Sequence, residues 1–381
     1  MNIRKTALDT VKQVRGEQSL IISEKNQNIY RVLLNESNGD KTAYYFNSPL
    51  YRRRDGGLID KRFLSNNRTY SFEGSTAQIV HTSGEFHMHD HLGDLYVQFE
   101  PRQEMQNMFG TLHSTNLQIQ PTFNGISVEA FCNGNTPFQF SIRTTENFEK
   151  IKKNTKYIAF MRNKFEPFFI ISPLYARISN ANNLIPCTAS IIQTGDKTYS
   201  VAMQAATNKP YTILFEINLY EGKFFQDTTV ESGAPDRNNC YGSVSFLGQT
   251  AALGEQWLYT KTSRKKVFDV ENIPIQSVRM FIPVFQKGTI LPTAYLPLER
   301  FCSFGSTWKK KIPYTKILTT AQYNEGYYIL DLSDLLINPS THYLRQTDGF
   351  ILRLTNNSSD CSIIATGDCC ITPQFLEIRY L

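Results

Sequence analysis

Three histidines at alternate positions, His87, His89 and His91, are the sharpest chemical feature of the sequence, and Asp90 and Asp94 stand beside them. On a β-strand, residues two apart share a face and lie about 7 Å from one another. Neutral imidazoles in such a row suit zinc, copper or nickel, and a carboxylate is a fitting further ligand. Side chains on one strand diverge, so closing a site on three successive outward positions needs a loop or a second strand. Asp90, His91, Gly93 and Asp94 also have the composition of a turn. An exposed polar strand end is the competing reading, with a patch that titrates at about pH 6 as a third.

Hard oxygen donors gather in the bend Ala234-Pro235-Asp236-Arg237-Asn238-Asn239. Asp236 and its neighbours could hold calcium there, or could cap the loop through their own backbone. Trp257, Trp308, Tyr241, Tyr314 and the pair Tyr327-Tyr328 offer aromatic faces on which sugar rings stack. The core of a β-sandwich uses large aromatics of the same kind. The chain contains no GxSxG, P-loop, HExxH or glycine-rich dinucleotide turn. Asp227, Asp236, Asp269 and Asp331 could include a glycosidase pair, but no spacing selects two of them. The expectation is a non-catalytic protein with no cofactor beyond a structural divalent cation, calcium or zinc. The basic runs Arg264-Lys265-Lys266 and Lys309-Lys310-Lys311 read as solvated turns, so no nucleic-acid partner is expected.

The elements that must position these residues are strands. With 381 residues the chain can build two domains, each with its own core. It has 26 Phe and 20 Tyr against 7 Met and 2 Trp, a bias toward β-favouring aromatics. The net charge of +6, spread over this length, does not single out a polyanion partner. No apolar run is long enough for a membrane-spanning helix. The N-terminus has basic residues but neither an apolar stretch nor a small-residue cleavage site. These features predict no signal peptide, with synthesis in the bacterial cytoplasm and deposition on a cell, spore or particle surface. Seven cysteines without a CxxC pair fit reduced, mostly buried thiols, a bridge from Cys361 to Cys369 or Cys370 being the alternative.

Residues 1–20 predict a short amphipathic helical arm, with Ile3, Ala7, Val11 and Val14 at helical spacing, docked on its own domain or on a neighbouring subunit. From Leu20 onward strand follows strand, with turns at Asn38-Gly39-Asp40 and at Thr194-Gly195-Asp196 and a hairpin tip at Arg52-Arg53-Arg54-Asp55-Gly56-Gly57. That arginine triplet could grip an anion or sit in solvent. The one interior stretch with helical character runs from Glu146 to Asn154. Strands continue through Tyr211-Thr212-Ile213-Leu214-Phe215 to a boundary near Gly222. The predicted fold class is all-β: two antiparallel β-sandwich (jelly-roll-like) domains, 21–221 and 222–381, behind the arm.

The second half carries Asp227-Thr228 and then Gly242. Phe268-Asp269 with Ile273-Pro274 and Thr307-Trp308 with Pro313 come next, before Leu330-Asp331-Leu332-Ser333 and Gly349-Phe350. In this order the elements resemble the DNRLRE domain family over about residues 222–381. The family comprises β-sandwich modules and includes carbohydrate-binding modules of polysaccharide-degrading enzymes. The run Thr262-Ser263-Arg264-Lys265-Lys266 departs from the family pattern, its eponymous signature is absent, and no family is recognised in 1–221. The resemblance implies a sandwich fold for 222–381 and a polysaccharide as a partner.

The functional expectation is a structural or adhesive subunit of a surface appendage, spore layer or virion-like particle. Such a subunit would form a homo-oligomer or polymer through β-edges and the N-terminal arm, without a membrane span. The alternative is a carbohydrate-binding protein acting through residues 222–381. A metal-dependent enzyme built on His87, His89 and His91 stands third.

Overall fold

The structure is a computed structural model. It describes residues 3–381 except 18, 24–27, 55–56, 61, 67–68, 74–77, 83–84, 91–92, 100–105, 109–110, 115, 180, 182, 221, 263–273, 337–348 and 356–358; for the strands between 51 and 82 and between 106 and 114 it describes the backbone. The described residues are all-β, and every named strand pairing is antiparallel. The exceptions are the helix Ile3–Arg15 and one helical turn, Ser333–Leu336. No described helix is long and apolar enough to cross a membrane.

Contacts divide the chain into two units. One is Leu50–Glu221 with the first six residues; the other joins Ala7–Pro49 to Gly222–Leu381. The division after Glu221 falls where the sequence places its boundary. The assignment of residues 21–49 differs. Strand Arg31–Asn35 pairs with Lys41–Phe46, and Lys41–Phe46 pairs in turn with Phe375–Tyr380 near the C-terminus. Ala43, Tyr44, Tyr45 and Phe46 are all buried, so this hairpin needs cover on both faces and a partner strand on its open side.

The unit around 50–221 is built from two large sheets and a separate two-stranded one, Tyr51–Arg54 paired with Gly57–Asp60. In the eight-stranded sheet the order places Phe138–Thr144 between Thr198–Ala205 and Gly93–Phe99, and Glu85–Asp90 follows Gly93–Phe99. The nine-stranded sheet is centred on Gly125–Cys132, Tyr211–Leu219 and Pro167–Ile178. Their inner faces meet through aromatic rings. Phe140 of the first sheet stacks on Phe215 of the second at 5.3 Å, and Phe160 meets Tyr199 edge-on at 5.2 Å. Strand Pro167–Ile178 has neighbours on both sides, although Pro173 cannot donate a ladder hydrogen bond; the register slips between Pro173 and Tyr175, as a proline inside a sheet requires.

The helical reading of 146–154 is corrected. Lys150–Asn154 is a strand paired with the fully buried Tyr157–Met161. The carboxamide oxygen of Asn154 accepts from the backbone N–H groups of Lys156 and Tyr157 and turns the chain into a tight hairpin. Nine residues are too few for a helix to hold without tertiary support.

In the second unit all strands belong to one continuous pairing network folded over a common core. Ile275–Gln286 is its corner. Its first half lies between Phe375–Tyr380 and Tyr327–Asp331; its end pairs with Cys361–Ala365, with a register slip between Val284 and Gln286. The core collects Tyr45, Phe224, Leu258, Met280, Leu352 and Leu376 from both halves of the network. None of the seven cysteines forms a disulfide, and Cys132, Cys187, Cys240, Cys369 and Cys370 are buried.

Two polar contacts organise the terminal strands. Tyr44, Glu377 and Arg279 are register neighbours on three adjacent strands. The Tyr44 hydroxyl donates to Glu377 Oε2 at 2.8 Å, and Arg279 donates to Oε1 from Nε at 2.8 Å and Nη2 at 2.6 Å. Burial and the Glu377 carboxylate push the Tyr44 phenol well above its ordinary range. The second contact, also within this unit, holds the C-terminal end of the helix Ile3–Arg15. Ile3–Arg15 buries Ala7 and Val11, carries Lys12 and Arg15 in its last turn, and stops at Gly16. There φ is +68° and Glu17 N–H bonds back to Lys12 O, a Schellman cap. Arg15 grips both oxygens of Glu36 at 2.7 and 2.8 Å, and Thr42 donates to the same carboxylate.

The Arg15 guanidinium, working against desolvation, holds Glu36 at about 2, from an ordinary 4.5. A depressed carboxyl stabilises the fold above its unfolded value, and the effect is lost as pH falls through the folded one. Wild type will therefore exceed Glu36→Gln in denaturation midpoint at neutral pH, and the difference will shrink as pH is lowered from 4.5 toward 2. Urea titrations of both proteins across that range check this; a constant difference would refute it.

Candidate functional site

Strand Glu85–Asp90 turns Phe86 and Met88 into the core and His87 and His89 outward. The return strand Gly93–Phe99 buries Leu95, Val97 and Phe99, which leaves Asp94 and Tyr96 outward. The register sets His89 opposite Asp94 and His87 opposite Tyr96. Both imidazoles converge on one carboxylate oxygen: His87 Nε2 lies 2.6 Å and His89 Nδ1 2.7 Å from Asp94 Oδ1. Desolvation would raise the Asp94 carboxyl, but the hydrogen bonds from His87 and His89 outweigh it and hold the group below its ordinary value.

Neighbouring groups fix the cluster in place. His87 stacks on Tyr96 with centroids 4.4 Å apart and planes 4° from parallel. The Arg143 guanidinium stands 3.8 Å from the Tyr96 ring centroid, and Asp94 N–H donates to the Thr145 hydroxyl at 3.0 Å. The ligating atoms of His87, His89 and Asp94 all lie within 4.8 Å of one another, compact enough to be drawn onto one cation. A zinc ion with bonds of about 2 Å spreads tetrahedral ligands roughly 3.3 Å apart, so Asp94 would withdraw slightly from its hydrogen bonds on binding. Three protein ligands leave the fourth position open. His91 lies outside the described residues. The set that comes together is thus His87 and His89 with Asp94. Asp94 was readable from the hairpin: a two-residue connection at His91-Leu92 brings Asp90 opposite Gly93, and therefore His89 opposite Asp94.

The predicted loop ligand Asp236 is exposed and pairs with Lys309 Nζ at 2.7 Å. The bend around it is pinned by its own amides. Asn238 Nδ2 donates to the carbonyls of Ser303 and Ser306 at 2.6 and 2.8 Å, and Asn239 Nδ2 to Thr229 O at 3.0 Å. Asp331 caps Ser333, accepting from its N–H at 3.0 Å and its hydroxyl at 2.6 Å. Asp269, with Arg264-Lys265-Lys266, lies outside the described residues.

Three of the four aromatic candidates form one cluster. Trp257 meets Trp308 at 5.2 Å and Tyr314 at 5.6 Å, both edge to face. Cations occupy the ring faces: Lys311 Nζ lies 4.0 Å from the Trp308 centroid and 4.9 Å from that of Trp257, and the Arg353 guanidinium lies 4.6 Å from Trp257. Glu255 accepts from Trp257 Nε1 at 2.7 Å and pairs with Arg353 at 3.4 Å. Trp257 is only 6 % exposed, packed among Val230, Tyr259, Phe301, Ile312 and Ile351, while Trp308 and Tyr314 are half-buried. Tyr241 does not join them. It is 1 % exposed, tilted against Phe304, with the Lys223 ammonium 5.7 Å from its ring centroid.

Trp257 belongs to the packed interior, so Trp257→Ala will cost about 3–5 kcal/mol of stability, and Trp308→Ala, on the rim, distinctly less. Chemical denaturation of the two variants checks the order. The chain matches no protein-family model and no curated protein.

Proposed function

We propose that the chain is a non-catalytic structural subunit that assembles with copies of itself through sheet edges, in a surface appendage, spore layer or particle. The observation that carries this reading is the strand Tyr314–Thr320. Among the described residues it ends its sheet and pairs with Thr293–Pro297 on one side. Its sequence, YTKILTT, is rich in β-formers and contains one charge. Ile317 on it is 57 % exposed. Proteins that shield an edge commonly place lysines along it, as the edge strand Lys150–Asn154 does with Lys150, Lys152 and Lys153. Tyr314–Thr320 carries a single lysine, and among the described residues no strand pairs with its outer side, so an added strand finds backbone to pair with there. Register slips opposite Tyr295 and Pro297 twist this edge and limit the added ladder to a few residues.

Size-exclusion chromatography with negative-stain imaging of the purified chain tests this reading. Oligomers or fibres are expected, and Ile317→Glu will shift the population toward monomer with the circular dichroism spectrum unchanged. A strict monomer at high concentration would overturn the proposal.

A second reading rests on the convergence of His87, His89 and Asp94: a divalent cation, with zinc the best fit, stapling the hairpin that carries them. Protein purified without a histidine tag will carry zinc near one equivalent by elemental analysis, and Asp94→Ala with His89→Ala will lose it. Absence of stoichiometric metal after zinc loading would dispose of this reading.

A further inference from the structure

The second unit buries one amine and two carboxyls against each other. Lys223 lies two residues before strand Phe225–Glu231, Asp227 lies on that strand, and Asp368 lies in the turn after Cys361–Ala365. The Lys223 side chain is 11 % exposed and that of Asp368 2 %, and Nζ of the first touches Oδ1 of the second. Asp227, also 2 % exposed, accepts the N–H of Gly367, the residue before Asp368. The segment is tightly held. Asn47 accepts the N–H of Phe225 and donates to the carbonyl of Gly367. A Cβ on Gly367 would stand 2.6 Å from the Asn47 amide nitrogen and 3.2 Å from Asp227, so glycine is what lets the backbone approach both side chains there. Tyr241 walls the amine, whose ammonium also reaches Cys240 O at 3.4 Å.

Such a site is poor at holding separated charges. Taking an ammonium and a carboxylate out of water is costly, and the cost falls when the proton moves across to leave a neutral amine beside a neutral acid. Those are the two partners of an amide condensation, held in contact where water is excluded and where their positioning replaces a bimolecular encounter. Burial pushes the Asp227 carboxyl up, against the pull of Lys223, so a proton carrier stands beside the pair.

We propose that Lys223 and Asp368 join in an intramolecular isopeptide bond, with Asp227 as the acid and base that carries the protons. The lone pair of the neutral Lys223 Nζ attacks Cγ of Asp368. Asp227 gives its proton to an Asp368 oxygen as the N–C bond forms and takes one from Nζ. The C–O bond to that oxygen then breaks, and the oxygen leaves as water. One water is released, Asp227 recovers its proton, and no atom changes oxidation state, so neither redox partner nor cofactor is needed. The bond would tie the start of one strand to the turn beyond another far along the chain, a covalent clasp on the unit that includes 222–381. It stands independently of the assembly proposed above.

Intact-mass spectrometry of the full chain tests this directly. The expected mass is lower than the sequence mass by one water, and proteolysis will yield a branched peptide joining the Lys223 segment to the Asp368 segment. Lys223→Arg will restore the full mass, and Asp227→Asn will leave most of the chain unlinked while keeping the wild-type circular dichroism spectrum. A wild-type chain at its full sequence mass overturns the bond. So does a water loss confined to a linear peptide carrying Asp368, which would mark a succinimide instead. Complete linkage in Asp227→Asn would remove Asp227 from the chemistry.

Discussion

The carboxylate of Glu377 is the constraint on which the second unit most depends. It sits on the central strand of three, is 1 % exposed, and receives hydrogen bonds from Tyr44 on one side and Arg279 on the other. A buried charge is tolerated only when its partners are in place, and leaving one unpaired costs about 3–5 kcal/mol. The two neighbours come from distant parts of the sequence. The same contact that satisfies Glu377 therefore specifies which strands flank Phe375–Tyr380, and in which register. Hydrophobic burial alone would accept several pairings of strands as apolar as KTAYYF and RMFIPVF; a charge with two fitted donors accepts one.

Aromatic residues serve two different purposes in the molecule. In the sandwich of 50–221, Phe138, Phe140 and Phe215 fill the space between sheets, with ring against ring and no polar neighbour needed. Around Trp257 the rings instead alternate with cations, and Glu255 balances the charge. Cation–π contact of this kind gains strength as the site is desolvated. It allows the boundary between core and surface to be packed with charged side chains whose apolar stems remain covered.

Much of the architecture was legible because strand signals are local. The alternation in EFHMHD and GDLYVQF, the turn at Asn38-Gly39-Asp40 and the aromatic runs each name a strand or hairpin without reference to the rest of the chain. The pairing of Lys41–Phe46 with Phe375–Tyr380 has no local signal, so residues 21–49 read as part of the domain that follows them in sequence. The short strand Lys150–Asn154 was misread for a related reason: its identity comes from the buried partner Tyr157–Met161, not from its own lysine-rich composition. At the histidine hairpin, alternation alone put His87 and His89 on one face, and cross-strand register added Asp94. The aromatic cluster was visible as residue types but not as a constellation, since Trp257, Trp308, Tyr314 and Arg353 meet only after the strands are ordered. Nothing in the sequence marks Lys223, Asp227 and Asp368 as neighbours.

The second unit is discontinuous in the chain, its first strands lying before residue 50 and the rest after residue 221. This has a consequence for synthesis on the ribosome. Arg31–Asn35 and Lys41–Phe46 emerge as an exposed hairpin long before their partner Phe375–Tyr380, which lies far along the chain. At roughly 5–20 residues per second, that hairpin waits on the order of a quarter of a minute to a minute for cover while the residues 50–221 between complete their own sheets. An apolar edge left open for so long is a target for chaperones and for the wrong strand, which gives a protected intermediate a role in the life of this fold that the finished structure no longer displays.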